Sequence, residues 1–259
     1  MLHGLIGQID GPIPVAEIAR ALDIVEVREC PLDGCEGVLI TDRQRSRGSI
    51  LVNNKRGAQA ARFSIAHELG HFLLERHVLG LADGMVCTKN DMRESRTMRQ
   101  QMQRHRKQEV EANEFAIGLL VPDYAMAPTL RSDPAIQAIT LMKDKLDISL
   151  EASTRCLVER HDEPLAAVWA RDGLIRYVVR GPRFPWITWK QGQRLPDLSR
   201  TPRYLASGRV GVSAMSEVAP AAWTHHELPE LFEQVRIGKD GHSLTLLWAT
   251  LPEAEDEEE

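Results

Sequence analysis

What the chain has little of narrows its class first. Across 259 residues no apolar run approaches the roughly 20 residues that span a bilayer, and the opening "MLHGLIGQIDGPIP" lacks a basic segment leading into a long apolar core. The expectation is a cytoplasmic protein with no membrane contact. Cysteine is sparse: Cys30, Cys35, Cys87 and Cys156 contain no C-x-x-C pair, which argues against a disulfide framework and against a cysteine zinc site. They read as reduced thiols. No internal repeat is evident, and all five tryptophans lie beyond "HDEP" at 161–164. Charge of one sign is also scarcer than the net −5 suggests, because the terminal "EAEDEEE" holds six acidic side chains, without which the body stands near +1. Residues 252–259 read as a solvated, disordered acidic tail. What remains, with 43% hydrophobic and 27% charged residues overall, is the composition of a globular protein long enough for one large or two medium domains.

Helical and strand signals are mixed. "VAEIARAL" has helical spacing after Pro14, and β-like runs follow at 24–27, 37–41 and 49–53, the last two separated by the arginine-rich "DRQRSRG". "GAQAARFSIAHELGHFLLER" (57–76) predicts a helix, and "QEVEANEFAIGLL" (108–120) a second that ends at Val121-Pro122. Between them, 80–108 is rich in methionine and arginine and reads as a solvated basic face. Residues 135–160 predict two helices around Asp147-Ile148-Ser149, an outline open to two readings: a packed helical hairpin, or a helix-turn-helix surface for nucleic acid. Beyond 163, "LAAVWA" and "LIRYVV" flank Arg171-Asp172-Gly173, and "KDG" at 239–241 precedes "HSLTLLWA", both hairpin signals. The expected class is α+β, divided into a first domain over 1–125, a helical segment over 126–162, a smaller antiparallel-sheet domain over 163–251 and the tail.

The chemistry is concentrated in "SIAHELGHFLLERH" at 64–77. His67 and His71 stand four apart with Glu68 beside the first, the H-E-x-x-H spacing that turns two imidazoles to one face of a helix toward zinc. Glu68 is placed to take a proton from water at the metal without being a ligand. A third ligand is needed. His77 has the offset of the metzincin pattern, but Leu74 occupies the position of the glycine that turns the chain there, so His77 is expected at the helix end or in solvent. The second helix offers Glu109, with Asn113 one turn later to hold a histidine ring and Ala112 and Ala116 to permit close helix approach. Glu111 points away from that face, which leaves Glu109 as the preferred ligand.

"ARFSIAHELGHFLL" followed by "QEVEANEFAIGLLVP" resembles the ImmA/IrrE family of bacterial metallopeptidases, and the likeness extends over the first 160 residues. The C-terminal stretch more loosely resembles the GAF-type, sensor-like domain of IrrE proteins. The resemblance implies a zincin-like fold and a gluzincin-like site, with His67, His71 and Glu109 binding Zn2+, Glu68 as general base and Asn113 behind the ligands. It also implies a substrate: a helix-turn-helix repressor of XRE type, cleaved to release stress-response or mobile-element genes.

The competing expectation is a DNA-binding transcriptional regulator that uses the metal structurally. Direct DNA contact is compatible with the peptidase reading and not required by it. One segment and four further residues stand at the margin. "SILVN" is expected to offer an edge strand to an extended substrate, Tyr124 is a weak candidate to stabilise an oxyanion, and Cys87 reads as an inert thiol before a redox switch. His225-His226 points in two directions and makes no natural ligand pair.

Overall fold

A computed structural model describes residues 2–78, 84–86 and 96–252. Cys87 and the acidic residues 253–259 fall outside the described residues. The chain divides into two compact units, residues 1–126 with 144–149 and residues 127–143 with 150–259.

The first unit begins with the short helices α1 (Leu2–Ile6) and α2 (Val15–Ala21), followed by strands β1 (Ile24–Cys30), β2 (Gly37–Thr41) and β3 (Gly48–Asn53). Helix α3 (Ala58–Leu73), strand β4 (Gly84–Val86) and helix α4 (Arg96–Leu120) complete it, before α5 (Asp123–Leu130). The second predicted helix therefore starts about a dozen residues earlier than its apolar pattern does, because the basic run that precedes it continues the same helix. The sheet order is β1-β3-β2-β4, with β1 parallel to β3 and the other pairs antiparallel. Leu39, Ile50 and Val52 are fully buried, as are Ala61, Ala66 and Leu69 on α3, which packs against β2 and β3. Arg62 anchors the start of α3, with Nη1 donating to the carbonyls of Leu146 (3.1 Å) and Asp147 (2.7 Å) and Nη2 to that of Ile13 (2.9 Å).

One expectation is corrected here. "SILVN" is no edge strand: β3 is paired along both sides, by β1 and by β2. Its outer partner arrives from 24–30 through a parallel pairing, which leaves no mark on the local pattern of either strand.

In the second unit, helices α6 (Ile136–Leu146, as far as residue 143) and α7 (Leu150–Arg160) accompany strands β5 (Leu165–Arg171) and β6 (Leu174–Arg180). Helix α8 (Thr201–Ala206), the short strands β7 (Gly211–Val212) and β8 (Ser216–Glu217), and the long β9 (Glu230–Ile237) and β10 (His242–Thr250) follow. Every pairing is antiparallel, in the order β6-β5-β10-β9-β7 with β8 also on β9. Alternation along the strands sends Leu165, Ala167, Leu244 and Leu246 to the face covered by Ile136, Ile139, Leu157 and Val158. The other face carries Ala166, Val168 and Leu247 against Phe184 and Trp223. Both predicted hairpins form, with Asp172 and Gly173 at φ 51° and 74° and Asp240 and Gly241 at φ 54° and 72°, the left-handed pairs that a tight hairpin needs.

Candidate metal centre

Helix α3 presents His67 and His71 on one face, one turn apart, and the side chain of His71 is wholly buried. Helix α4 lies close beside it. Ala112 and Ala116 are fully buried on α4, and a Cβ on Gly70 of α3 would meet Phe115 Cδ1 at 2.9 Å, so small residues on both helices set the approach. That proximity lets Glu109 reach across. The Nε2 atoms of His67 and His71 stand 3.0 Å apart, Glu109 Oε2 is 3.4 Å from the first and Oε1 3.3 Å from the second. Ligand atoms held at zinc bond lengths around a tetrahedral ion are about 3.3 Å from one another; here the two imidazoles meet different oxygens of Glu109, and one ligand atom from each of the three side chains lies within 4.8 Å of the others, a spacing that can close on an ion. Among the described residues, no other group of three such side chains could hold a metal.

The electrostatics agree with a site built for a cation. Burial opposes ionisation of Glu109, yet the two imidazoles beside it hold its carboxyl well below the usual range. Burial pushes Glu68 the other way, up to about 7, with His67 drawing it down and Glu109 adding to the rise. Glu68 is nearly inaccessible, and its Oε2 has no hydrogen-bond partner among the described residues, although the carboxyl interacts electrostatically with His67 and Glu109. The space that it occupies depends on Gly37, since a Cβ there would fall 2.4 Å from Glu68 Oε1. Asn53 fixes the loop leading to Gly37 by donating from Nδ2 to the carbonyls of Leu32 (2.8 Å) and Cys35 (3.0 Å).

Asn113 Oδ1 lies 3.0 Å from His67 Nδ1, so that ring's N–H can donate to the amide oxygen and leave Nε2 for the metal. His77 departs from expectation. It is buried, with Nδ1 2.9 Å from His71 Nδ1 and Nε2 3.0 Å from Glu111 Oε2. The chain turns at Leu74 without a glycine, at φ −84° and ψ 89°, and brings His77 behind His71 instead of to the metal side. Glu111, expected to point away from the ligand face, is not part of the cluster and faces His77 and Arg76. Neither residue carried a local signal beyond the offset of His77 itself, because their contacts join α4 to the end of α3.

The remaining candidates lie elsewhere. The Tyr124 hydroxyl accepts from the Ile9 amide at 3.0 Å, a packing role. His225 and His226 are exposed. His105, half-exposed one turn before Glu109, has Nε2 3.8 Å from Glu109 Oε1 and was not anticipated.

Among solved structures, the chain is similar to a Mycobacterium tuberculosis transcriptional regulator, with a TM-score of 0.54 over 96% of this chain and 73% of that one, at 14% identity. At such identity the likeness is one of fold alone. No curated protein matches the sequence significantly. The sequence pattern of the IrrE N-terminal-like domain, a peptidase family, matches residues 23–152, half of the chain, and that span holds every residue of the metal centre. The chain belongs to the IrrE N-terminal-like family of peptidases.

Proposed function

We propose that this protein is a zinc-dependent endopeptidase that cleaves a helix-turn-helix repressor of XRE type and so releases stress-response or mobile-element genes. The observation that carries the catalytic part is the three-ligand cluster of His67, His71 and Glu109 beside the buried, unpartnered oxygen of Glu68. Structural zinc sites are usually closed by four protein ligands, whereas catalytic ones leave a position open. Three ligands, and a buried carboxylate oxygen without a hydrogen-bond partner among the described residues, favour the catalytic arrangement over a regulator that uses its metal only to fold. The family supports the substrate class, and the α3–α4 core supports a zincin-like reading of the first unit. For the second unit we adopt the GAF-like, sensor-type reading, on the strength of an antiparallel sheet whose first and last long strands, β5 and β10, are neighbours at its centre.

Zinc, when bound, supplies a Lewis acid for the scissile carbonyl and makes a nearby water more acidic. His67 and His71 would hold it through Nε2 as neutral rings, and Glu109 would contribute the negative charge. Glu68 takes the proton of the attacking water as its oxygen bonds to the carbonyl carbon, then passes that proton to the departing amine as the peptide bond breaks. Asn113 keeps the His67 ring oriented throughout.

The substrate assignment is tested by incubating the full-length protein with the XRE-type repressor encoded nearest its gene. A discrete fragment that forms with zinc and disappears with chelator is expected. A repressor that stays intact under every condition, while the protein binds operator DNA itself, would favour the regulator instead.

A further inference from the structure

We infer that His77, which is no part of the ligand set, is a positioning residue for the metal: held by Glu111, it fixes the tautomer of His71 and aims the lone pair of His71 Nε2 at the ion. This deepens the metal reading above and rests on it.

The direction of each hydrogen bond follows from the chemistry of the partners. His71 Nε2 faces His67 Nε2 and Glu109, so it must keep its lone pair for an ion, which places the ring proton on Nδ1. That N–H points at His77 Nδ1, 2.9 Å away, which must therefore accept. A neutral His77 that accepts at Nδ1 carries its own proton on Nε2, and Nε2 lies 3.0 Å from Glu111 Oε2. A carboxylate accepts only, and Arg76, whose Nε is 2.9 Å from the same oxygen, favours its charged form. The chain of donors runs one way, His71 to His77 to Glu111. Reversing it would require the carboxylate to donate.

The backbone is arranged to hold His77 there. Its side chain has no exposed surface. The turn at Leu74 that brings it back is gripped by Arg45 from the β2–β3 hairpin, which donates through Nη1 to the Leu74 carbonyl at 2.6 Å and through Nη2 to the carbonyl of His77. Arg45 itself stands at φ 54°, a conformation that a non-glycine residue keeps only when its surroundings hold it. His67 receives the equivalent service from Asn113, so each imidazole ligand has one partner on its far nitrogen.

The test measures zinc affinity of the full-length protein by competition with a chromophoric chelator, with thermal melting of each metal-free variant to verify folding. His77→Phe, which fills the space but cannot accept, is expected to weaken zinc binding about 10- to 100-fold, the usual cost of losing such a partner. His77→Gln offers an oxygen to accept and an N–H to donate, and should recover most of that loss. Glu111→Ala removes the terminal acceptor and is expected to weaken binding about tenfold alone and not at all when added to His77→Phe. Wild-type affinity in both His77→Phe and Glu111→Ala overturns the inference, as does a glutamine no better than phenylalanine. If His77→Phe does not fold, unchanged affinity in Glu111→Ala overturns it without that variant. A wild-type chain that binds no zinc overturns the metal reading as well, which separates the two failures.

Discussion

At position 37 the lack of a side chain makes room for a buried carboxylate. Gly37 does not have a positive φ, so the constraint on it is space alone: a methyl group there would meet Glu68 Oε1 at 2.4 Å, deep inside normal contact distance. Gly37→Ala is expected to displace Glu68 and lower peptide hydrolysis by roughly 10²-fold or more, in line with the worth of a general base. Zinc content should stay at the wild-type level, because the atoms that an added Cβ meets first all belong to Glu68 and none to His67, His71 or Glu109; parallel metal analysis and kcat measurement check both halves. The roles of these residues differ in how far they could be read in advance. The spacing of His67 and His71 is a property of one helix, and the Ala112 and Ala116 stripe pointed to Glu109 on a neighbouring one. Gly37 and Glu111 act through space on residues more than thirty positions away, so no local pattern could mark them.

Between elements, the distance from α3 to α4 decides whether Glu109 can reach the histidines. Gly70 sets that distance, since an added Cβ would meet the Phe115 ring at 2.9 Å. Gly70→Ala is expected to cost about 1–3 kcal/mol by overpacking and to weaken zinc binding by moving Glu109 outward. A melting curve and a zinc titration read the two effects separately, and an unchanged affinity would mean that α4 does not carry a ligand. The hairpins at Asp172-Gly173 and Asp240-Gly241 were legible because a two-residue turn demands left-handed backbone, which few residue types tolerate. Two elements were misread for one physical reason. The interior place of β3 is set by β1, and the end of α3 at Leu73 is stabilised by Arg45, a residue twenty-nine positions before Leu74. Tertiary partners overrode what local composition allowed, a helix running on to residue 76 and a strand with a free side.

For the whole molecule, the three residues that could hold the metal lie in the first unit, and so do Glu68 and His77. Metal that binds only the folded state adds about 2.7 kcal/mol of stability when free zinc is a hundred times its Kd. Removing it with a chelator should therefore raise hydrogen exchange in α3 and α4 and leave the sheet of β5, β9 and β10 protected. Exchange that rises equally in both units would contradict a metal centre confined to the first. The central claim is that one cluster binds zinc and a separate carboxylate does the proton transfer, and Glu68→Gln divides the two. Measured side by side with wild type, this variant is predicted to keep one zinc per chain while losing about 10²- to 10⁴-fold in repressor cleavage. Full cleavage by Glu68→Gln, or loss of its zinc together with activity, would contradict the account.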